Sequence, residues 1–254
     1  MKKILLFILF ILASQVVVAQ WAQCSNGQYT GKILSLHTSG TSLFANTDYA
    51  GLFRSDDGGA HWPGHSWISV TSLVSNGSVL LAIGGSSGLL RSTDNGEHWA
   101  NAWPDSLASN SIGTIAASIS TFFVCTDGGI FRSKDNGLTW ENVTQGLRSI
   151  YITALAASGT TLYSGMNSYT YGHGIFKSTN NGFSWLRINK DSLDITSIAA
   201  TGTTIFAAHS KGILRSTDNG KSWQGAHTGI TDTTITTIVS SGTDLFANSY
   251  SGIL

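Results

Sequence analysis

Charge is scarce in this chain. Only 11% of its 254 residues are Asp, Glu, Lys or Arg, and fourteen basic residues balance fourteen acidic ones to a net charge of zero. An average domain is about 25% charged. No basic stripe exists to track phosphates, which argues against nucleic acid as a partner. Proline is nearly missing, with two residues against 29 glycines. That balance suits many tight β turns, and no low-complexity linker divides the chain. No segment carries a sustained helical period, so helices are not the main elements. Cysteine is limited to Cys24 and Cys125, too few for a disulfide scaffold.

Long apolar runs are also missing, except at the start. Lys2 and Lys3 precede the run Ile4 to Leu12, and Val17 and Ala19 supply small residues before Gln20. This is the pattern of a secretory signal peptide over residues 1–19. The run is short against the roughly 20 residues of a membrane-spanning helix. The chain is therefore expected to be secreted, periplasmic or on the cell surface, with no membrane span after cleavage.

What is present is repetition. Gly51 to Trp62 (GLFRSDDGGAHW) recurs from Gly88 to Trp99, Gly129 to Trp140, Gly174 to Trp185 and Gly212 to Trp223, and a sixth copy begins at Gly252. Successive starts lie 37, 41, 45, 38 and 40 residues apart. A period near 40 marks one supersecondary unit that cannot bury its apolar face alone. Between the motifs run Ile195-Thr-Ser-Ile and Thr204-Ile-Phe, with counterparts at Ile152, Ile235, Thr161 and Asp244. β-Branched and aromatic residues in short runs bounded by glycine predict strands. Each unit then holds four antiparallel strands, A to D, which describes a propeller blade. A β-solenoid, the alternative, has shorter rungs.

The four-residue skeleton of the motif is Ser-x-Asp-x-Gly-x-x-Trp. It comprises Ser55, Asp57, Gly59 and Trp62; Ser92, Asp94, Gly96 and Trp99; Ser133, Asp135, Gly137 and Trp140; Ser178, Asn180, Gly182 and Trp185; and Ser216, Asp218, Gly220 and Trp223. The Asp can accept backbone N–H groups of a turn, the Gly can take positive φ, and the Trp can wedge between neighbouring sheets. Asn180 keeps the acceptor oxygen. The pattern resembles the Asp-box, or BNR, repeat of β-propellers in the sialidase, sortilin and xyloglucanase families, and of photosystem II assembly factor-like propellers. The resemblance covers essentially the whole chain after the leader. It implies an all-β propeller over residues 20–254, of about six blades, with the box as a structural hairpin away from the ligand face.

Trp21 to Ser25 reads as a lone strand D, and Thr234 to Leu254 as strands A, B and the start of C. Pairing them would close the ring and remove two open edges. Leu254 stops mid-strand, so the expectation is a chain truncated at its C-terminus.

With boxes at the C–D turns, the B–C and D–A loops share the opposite face. Tyr49, Tyr169, Tyr171, His173, His209 and Tyr250 fall in B–C loops and are candidate ligand-binding residues, because aromatic faces beside amides and hydroxyls suit sugars or peptides. The fourth such loop is the longest. Asp48, Asp127, Asp194 and Asp232 lie near that face, but no spacing marks a hydrolytic pair. Asp105 and Asp191 sit where other units have Gly146 and Gly229 and read as turn residues with positive φ. The resemblance to sialidases stops at chemistry. Those enzymes need three converging arginines, whereas Arg54, Arg91, Arg132 and Arg215 occupy one position on four blades, leaving Arg148 and Arg187. The Arg-Ile-Pro motif is absent too.

His61 and His65 flank Trp62-Pro63-Gly64 and do not present a metal site, and the box lacks the ligands of a calcium loop. No cofactor or metal is expected. Cys24 and Cys125 fall on opposite sides of a six-blade ring, beyond the ~7 Å a disulfide allows between Cα atoms, so both should stay unpaired. The sequence favours a non-catalytic binding or assembly platform for protein or glycan at the cell surface. A glycoside hydrolase and a structural module of a larger surface protein are the alternatives.

Overall fold

A computed structural model describes residues 33–48, 50–85, 88–108, 110–147, 152–167, 173–189, 191, 193–226, 230, 234–241, 244–249 and 252–253. The leader, Cys24 and the strand expected at Trp21 to Ser25 lie outside the described residues. So do Tyr49, Tyr169, Tyr171, Tyr250, Arg148 and Asp232.

The described chain is all β apart from one 3-10 turn at Asp105–Leu107. Blade 1 holds β1 (Ile33–Ser39), β2 (Ser42–Thr47), β3 (Leu52–Ser55) and β4 (Gly64–Ser66). Blade 2 holds β5 (Val70–Ser75), β6 (Leu80–Gly84), β7 (Gly88–Ser92) and β8 (Ala100–Asn101). Blade 3 follows with β9 (Ile112–Ala117), β10 (Phe122–Thr126), β11 (Gly129–Ser133) and β12 (Glu141–Asn142). Blade 4 comprises β13 (Ile152–Ser158), β14 (Thr161–Met166), β15 (Gly174–Ser178) and β16 (Leu186–Arg187). Blade 5 comprises β17 (Ile195–Thr201), β18 (Thr204–His209), β19 (Gly212–Ser216) and β20 (Gln224–Gly225). A last sheet contains β21 (Ile235–Ser241), β22 (Asp244–Ser249) and β23 (Gly252–Ile253). Each sheet is an antiparallel meander in chain order. The first strand of each sheet packs against the first strand of the next, from β1 through β21, which is the radial arrangement of a β-propeller. Five blades are complete with four strands and the sixth sheet has three, where the sequence suggested about six blades. Closure of the ring falls on residues outside the described ones.

The second strand of each blade lies between neighbouring sheets. In β6 and β10 every residue is buried. These strands therefore read as continuous apolar runs, LLAIG and FFVCT, instead of alternating. The apolar clusters sit between blades: Phe44 and Leu52 of blade 1 pack with Val70, Leu80 and Ala82 of blade 2. Leu81 and Leu89 of blade 2 pack with Phe122 and Phe131 of blade 3. No blade buries its own face alone, as the repeat period requires.

Near the start of most A strands the pairing slips by one residue, as between Ile152 and Ala154 and between Ile195 and Ser197. A bulge re-aims the extra side chain. Thr153 thus donates to the carbonyl of Ile195 on the next blade, and Thr196 donates to that of Ile235. Cys125 is a free, buried thiol in β10. No helix among the described residues is long and apolar enough to cross a membrane.

Candidate functional site

The two ends of the blades differ in character, and the box end repeats itself. In box 5 the Ser216 hydroxyl donates to Asp218 Oδ1 at 2.8 Å and accepts the Gly220 N–H at 2.8 Å. Asp218 also accepts the Lys221 and Ser222 N–H groups and, on Oδ2, the Ser222 hydroxyl at 2.6 Å. Boxes 1, 2 and 3 repeat the pattern through Ser55–Asp57, Ser92–Asp94 and Ser133–Asp135. Box 4 keeps it with Asn180, whose amide donates to Ser184 Oγ instead. In boxes 1 and 2 the side chain bonded to the second carboxylate oxygen is a histidine, with His61 and His98 Nδ1 at 2.6 and 2.7 Å. His61 is thereby engaged with Asp57. Among the described residues no three His, Cys, Asp or Glu side chains gather where they could hold a metal.

Hydrogen bonding to the ionised form holds these carboxyls low. The His61 backbone N–H, then its ring, bring Asp57 to about 2. Burial pushes Asp135 up, but the Thr139 hydroxyl and N–H and the Ser133 hydroxyl outweigh it and leave it at about 2.

The glycine of each box has positive φ, as expected, and the residue before it does too: Asn95, Asn136, Asn181 and Asn219 at 54° to 61°, and Gly58 at 72°. Asparagine is the side chain that tolerates this region best. The turned carbonyl faces the preceding blade and meets a cation there. Arg54 Nη1 donates to Asn95 O at 2.9 Å, Arg91 Nε to Asn136 O at 2.6 Å, Arg132 Nη1 to Asn181 O at 2.6 Å and Lys177 Nζ to Asn219 O at 3.1 Å. The asparagine side chains join the same seams, as Asn95 donates to Ser42 and Asn136 accepts from Asn76. The repeated Arg or Lys is thus a strut between blades. The sequence placed Arg54, Arg91 and Arg132 on separate blades but did not reveal their acceptors, since a carbonyl's direction depends on φ, and the equivalent Lys177 was not singled out.

The box tryptophans have three settings. Trp62 and Trp99 donate to the carbonyl of their own box glycine, Gly59 and Gly96, at 3.0 Å. Trp140 and Trp185 donate instead across the seam to Ala102 O and Val143 O, at 3.0 and 3.2 Å. The Trp223 N–H is buried with no acceptor.

The loop end differs from blade to blade. His173, just before β15, places Nδ1 2.6 Å from Asp194 Oδ1, in the loop leading into β17. The two were separate candidates in the sequence, and the fold joins the end of the longest B–C loop to the D–A loop of the same blade. Beside them Arg187 donates to Asn189 O at 2.9 Å and to Asp191 O at 3.4 Å. A Cβ on Gly174 would come within 2.8 Å of Asn189 O and 3.2 Å of Arg187 Nε, so the crossing requires glycine there. His209 is buried at the end of β18 and its Nδ1 accepts the Lys211 N–H at 3.2 Å, so it belongs to the turn more than to an open rim. Asp127 is tied to Ser111 of its own blade, while Asp48 stands in blade 1 and Asp194 beside blade 5. Asp105 does not take positive φ. Asp105 opens the 3-10 turn, and the Asp191 N–H is held by Asn189 Oδ1 at 2.8 Å. These side chains arrange their loops where a glycine elsewhere relies on left-handed backbone.

Two tryptophans outside the motif were missed. Trp103 is buried, donates to Leu107 O at 2.8 Å and meets Phe131 and Trp140 edge-on at 5.6 Å. Trp67 is 79% exposed at the loop end of blade 1. Only the run of residues after each box Trp could have flagged them.

The DUF6242 beta propeller domain matches residues 69–189, just under half of the chain. A xyloglucanase of Hypocrea jecorina (strain QM6a) is 36% identical over 93 residues, which are 33% of this chain and 11% of that protein. Among solved structures, YCF48 bound to D1 peptide superposes with a TM-score of 0.62 at 18% identity, over 87% of this chain and 76% of that one. The GH74 xyloglucanase of Xanthomonas campestris gives 0.62 at 17% identity, over 87% and 44%. The extracellular domain of BT4673 from B. thetaiotaomicron gives 0.69 at 15%, over 91% and 34%. The chain thus spans a small part of the xyloglucanase it matches in sequence, and at these identities the structures speak for the fold alone. They agree with the propeller fold, and the hydrogen bonds of five successive boxes make the turn between the third and fourth strands of each complete blade an Asp-box-like hairpin.

Proposed function

We propose that this chain is an exported, non-catalytic propeller that binds protein or glycan ligands on the face of its B–C and D–A loops. One observation carries the reading. At the box end every repeat makes the same bonds from its Ser hydroxyl to the Asp or Asn side chain and from its Gly N–H to that Ser, whereas at the loop end the repeats differ: His173–Asp194 in blade 4, Asp127–Ser111 in blade 3, Trp67 in blade 1. What is common to all blades holds the blade, and what differs between them is available for recognition. The similarity to a protein solved with a peptide and to xyloglucanases supports a platform for either ligand class. The leader over residues 1–19 and a surface or secreted location belong to this proposal, as does closure of the ring by the segment Trp21 to Ser25.

The test has three readouts. Glycan and peptide arrays should capture the wild type, and capture should fall on changing Tyr169 and Tyr171 to alanine but not on changing the exposed box residue Lys221. Turnover of xyloglucan or sialosides would instead establish the hydrolase alternative. Exported protein should begin at Gln20 by mass spectrometry.

A further inference from the structure

Each box asks for two successive residues in the left-handed region, and Asn-Gly meets that demand best. Asn95–Gly96, Asn136–Gly137, Asn181–Gly182 and Asn219–Gly220 take φ of 54° to 61° on the asparagine and 85° to 88° on the glycine. Box 1 uses Gly58–Gly59 instead. Asn-Gly is also the pair most open to succinimide formation, because no Cβ on the glycine shields its nitrogen from the asparagine side chain. The box cannot give up its glycine. A Cβ on Gly182 would fall 2.9 Å from Val143 Cγ2 across the seam. Four boxes thus carry a chemical liability that their own turn imposes.

The box serine restrains it. The attacking atom is the glycine nitrogen, and its one hydrogen is donated to the serine hydroxyl: Gly96 to Ser92, Gly182 to Ser178 and Gly220 to Ser216 at 2.8 Å, and Gly137 to Ser133 at 2.7 Å. The nitrogen cannot lose that proton and turn toward Cγ without giving up this bond. Three of the asparagines are restrained a second time. Asn95 Nδ2 donates to Ser42 Oγ at 2.8 Å, Asn136 Oδ1 accepts the Asn76 amide at 2.7 Å and Asn219 Oδ1 accepts the Tyr163 hydroxyl at 3.2 Å. Asn76–Gly77, in the A–B turn of blade 2, is held likewise, by Ser75 and by donors on Asn76 Oδ1, and Asn26–Gly27 lies outside the described residues. Asn181 is different. Arg132 holds its carbonyl and Thr160 O its N–H, but its side-chain amide makes no hydrogen bond among the described residues.

We propose that Asn181–Gly182 is a site of spontaneous modification, where Asn181 deamidates through a succinimide, and that the Ser178 hydroxyl sets the rate by holding the Gly182 N–H. Hydroxide takes the Gly182 proton, and the nitrogen bonds to Asn181 Cγ. The Cγ–Nδ2 bond breaks, and Nδ2 leaves as ammonia with a proton from water, which restores the hydroxide. Water then opens the cyclic imide at either carbonyl, to aspartate or isoaspartate. Isoaspartate routes the main chain through its side chain and displaces the carbonyl that Arg132 grips. The seam between blades 3 and 4 therefore ages first.

The experiment incubates the full chain in mildly alkaline buffer, native and unfolded in urea, and follows it by peptide mass spectrometry. Trypsin puts boxes 3, 4 and 5 on separate peptides, 135–148, 178–187 and 216–221. Unfolded, the three Asn-Gly pairs should convert at like rates. Native, all three should slow, with Asn181 the fastest. Ser178→Ala should speed Asn181 about tenfold, the rate equivalent of one net hydrogen bond, and leave Asn136 and Asn219 of the same molecule unchanged. Ser133→Ala should speed Asn136 less, because Asn76 still holds its amide oxygen. An unchanged Asn181 in Ser178→Ala overturns the proposal, and so does equal acceleration of all three peptides, which reports general opening. If Ser178→Ala does not fold, the wild type decides alone: native Asn181 no faster than Asn136 and Asn219, or as fast as in urea, overturns it. Asn181→Gly copies Gly58 of box 1. Incubation should lower the melting temperature of the wild type and not of Asn181→Gly; an equal decline in both removes the ageing of this seam.

Discussion

Replacing Arg132 by alanine should weaken the seam between blades 3 and 4 more than the same change at any other strut. Arg132 is 1% exposed. Its Nε and Nη2 donate to Glu141 Oε1 at 2.9 and 2.6 Å, its Nη1 donates to Asn181 O at 2.6 Å, and its guanidinium lies 4.3 Å from the Phe183 ring centre. The Glu141 side chain is 47% exposed, so solvent limits the ion pair to about 1 kcal/mol. The charge-assisted bond to a backbone carbonyl adds about 1.5 kcal/mol or more, and loss of the buried stem and ring contact adds roughly 1 kcal/mol. The sum is about 3.5 kcal/mol, or roughly 7–14 °C in melting temperature for a chain of this size. Arg54 makes a comparable set of bonds with a side chain 21% exposed, to Asp56, Glu97 and Asn95 O. Arg54→Ala should cost about 1 kcal/mol. Arg132→Lys should recover part of the loss, because Lys177 fills the same role in blade 4. The assay is thermal unfolding of the three variants under one condition, since blades can open separately and absolute values then mislead. An Arg132→Ala shift no larger than that of Arg54→Ala would refute the reasoning.

Three further outcomes are expected. Trp185→Phe breaks a bond across the seam to Val143 O and should cost about 1–3 kcal/mol, while Trp223→Phe deletes a buried N–H that has no acceptor and should cost markedly less, as chemical denaturation of the pair will tell. Acid should act in two windows. Burial against β5 lowers His37 from 6.5 to about 4, so the stability tied to its neutral form is complete above 6.5 and lost as pH falls to 4, and His37→Gln should remove that step. Asp57 and Asp135 are depressed from 3.8 to about 2, so their contribution holds above 3.8 and disappears toward pH 2; Asn180→Asp should enlarge this second step. Burial pushes the Cys125 thiol far up, so it should resist a thiol reagent in the folded protein and react once urea unfolds it.

The period, the strands and the box chemistry were legible because each rests on local pattern. Ser216, Asp218 and Gly220 are within four residues of one another, and their bonds follow from turn geometry. Seam chemistry was legible only in part. The wedge role of Trp185 could be read, but the choice between its own glycine and Val143 of the preceding blade depends on how two sheets are offset. The Asn219 carbonyl escaped notice because its direction is set by a left-handed φ on an ordinary-looking turn residue. At the loop end, His173 and Asp194 stand 21 residues apart in the chain and 2.6 Å apart in space. No periodicity joins them. Trp67 and Trp103 share a register position, yet one is exposed and the other buried, because Ile68 and the Asp105–Leu107 turn decide which side chain enters the seam. His209 shows the reverse, a loop histidine that the sequence offered for a rim and the turn keeps for itself.

The arrangement of like corners around an axis can be measured directly. Spin labels on Ala60, Leu138 and Lys221 occupy one position in boxes 1, 3 and 5, and Cys24→Ser leaves only the buried Cys125 thiol besides the labelled sites. Pulsed dipolar spectroscopy on the three label pairs should give an Ala60–Lys221 distance comparable to the other two, because the blades turn about a common centre. A distance equal to the sum of the other two would describe a straight stack and contradict the propeller.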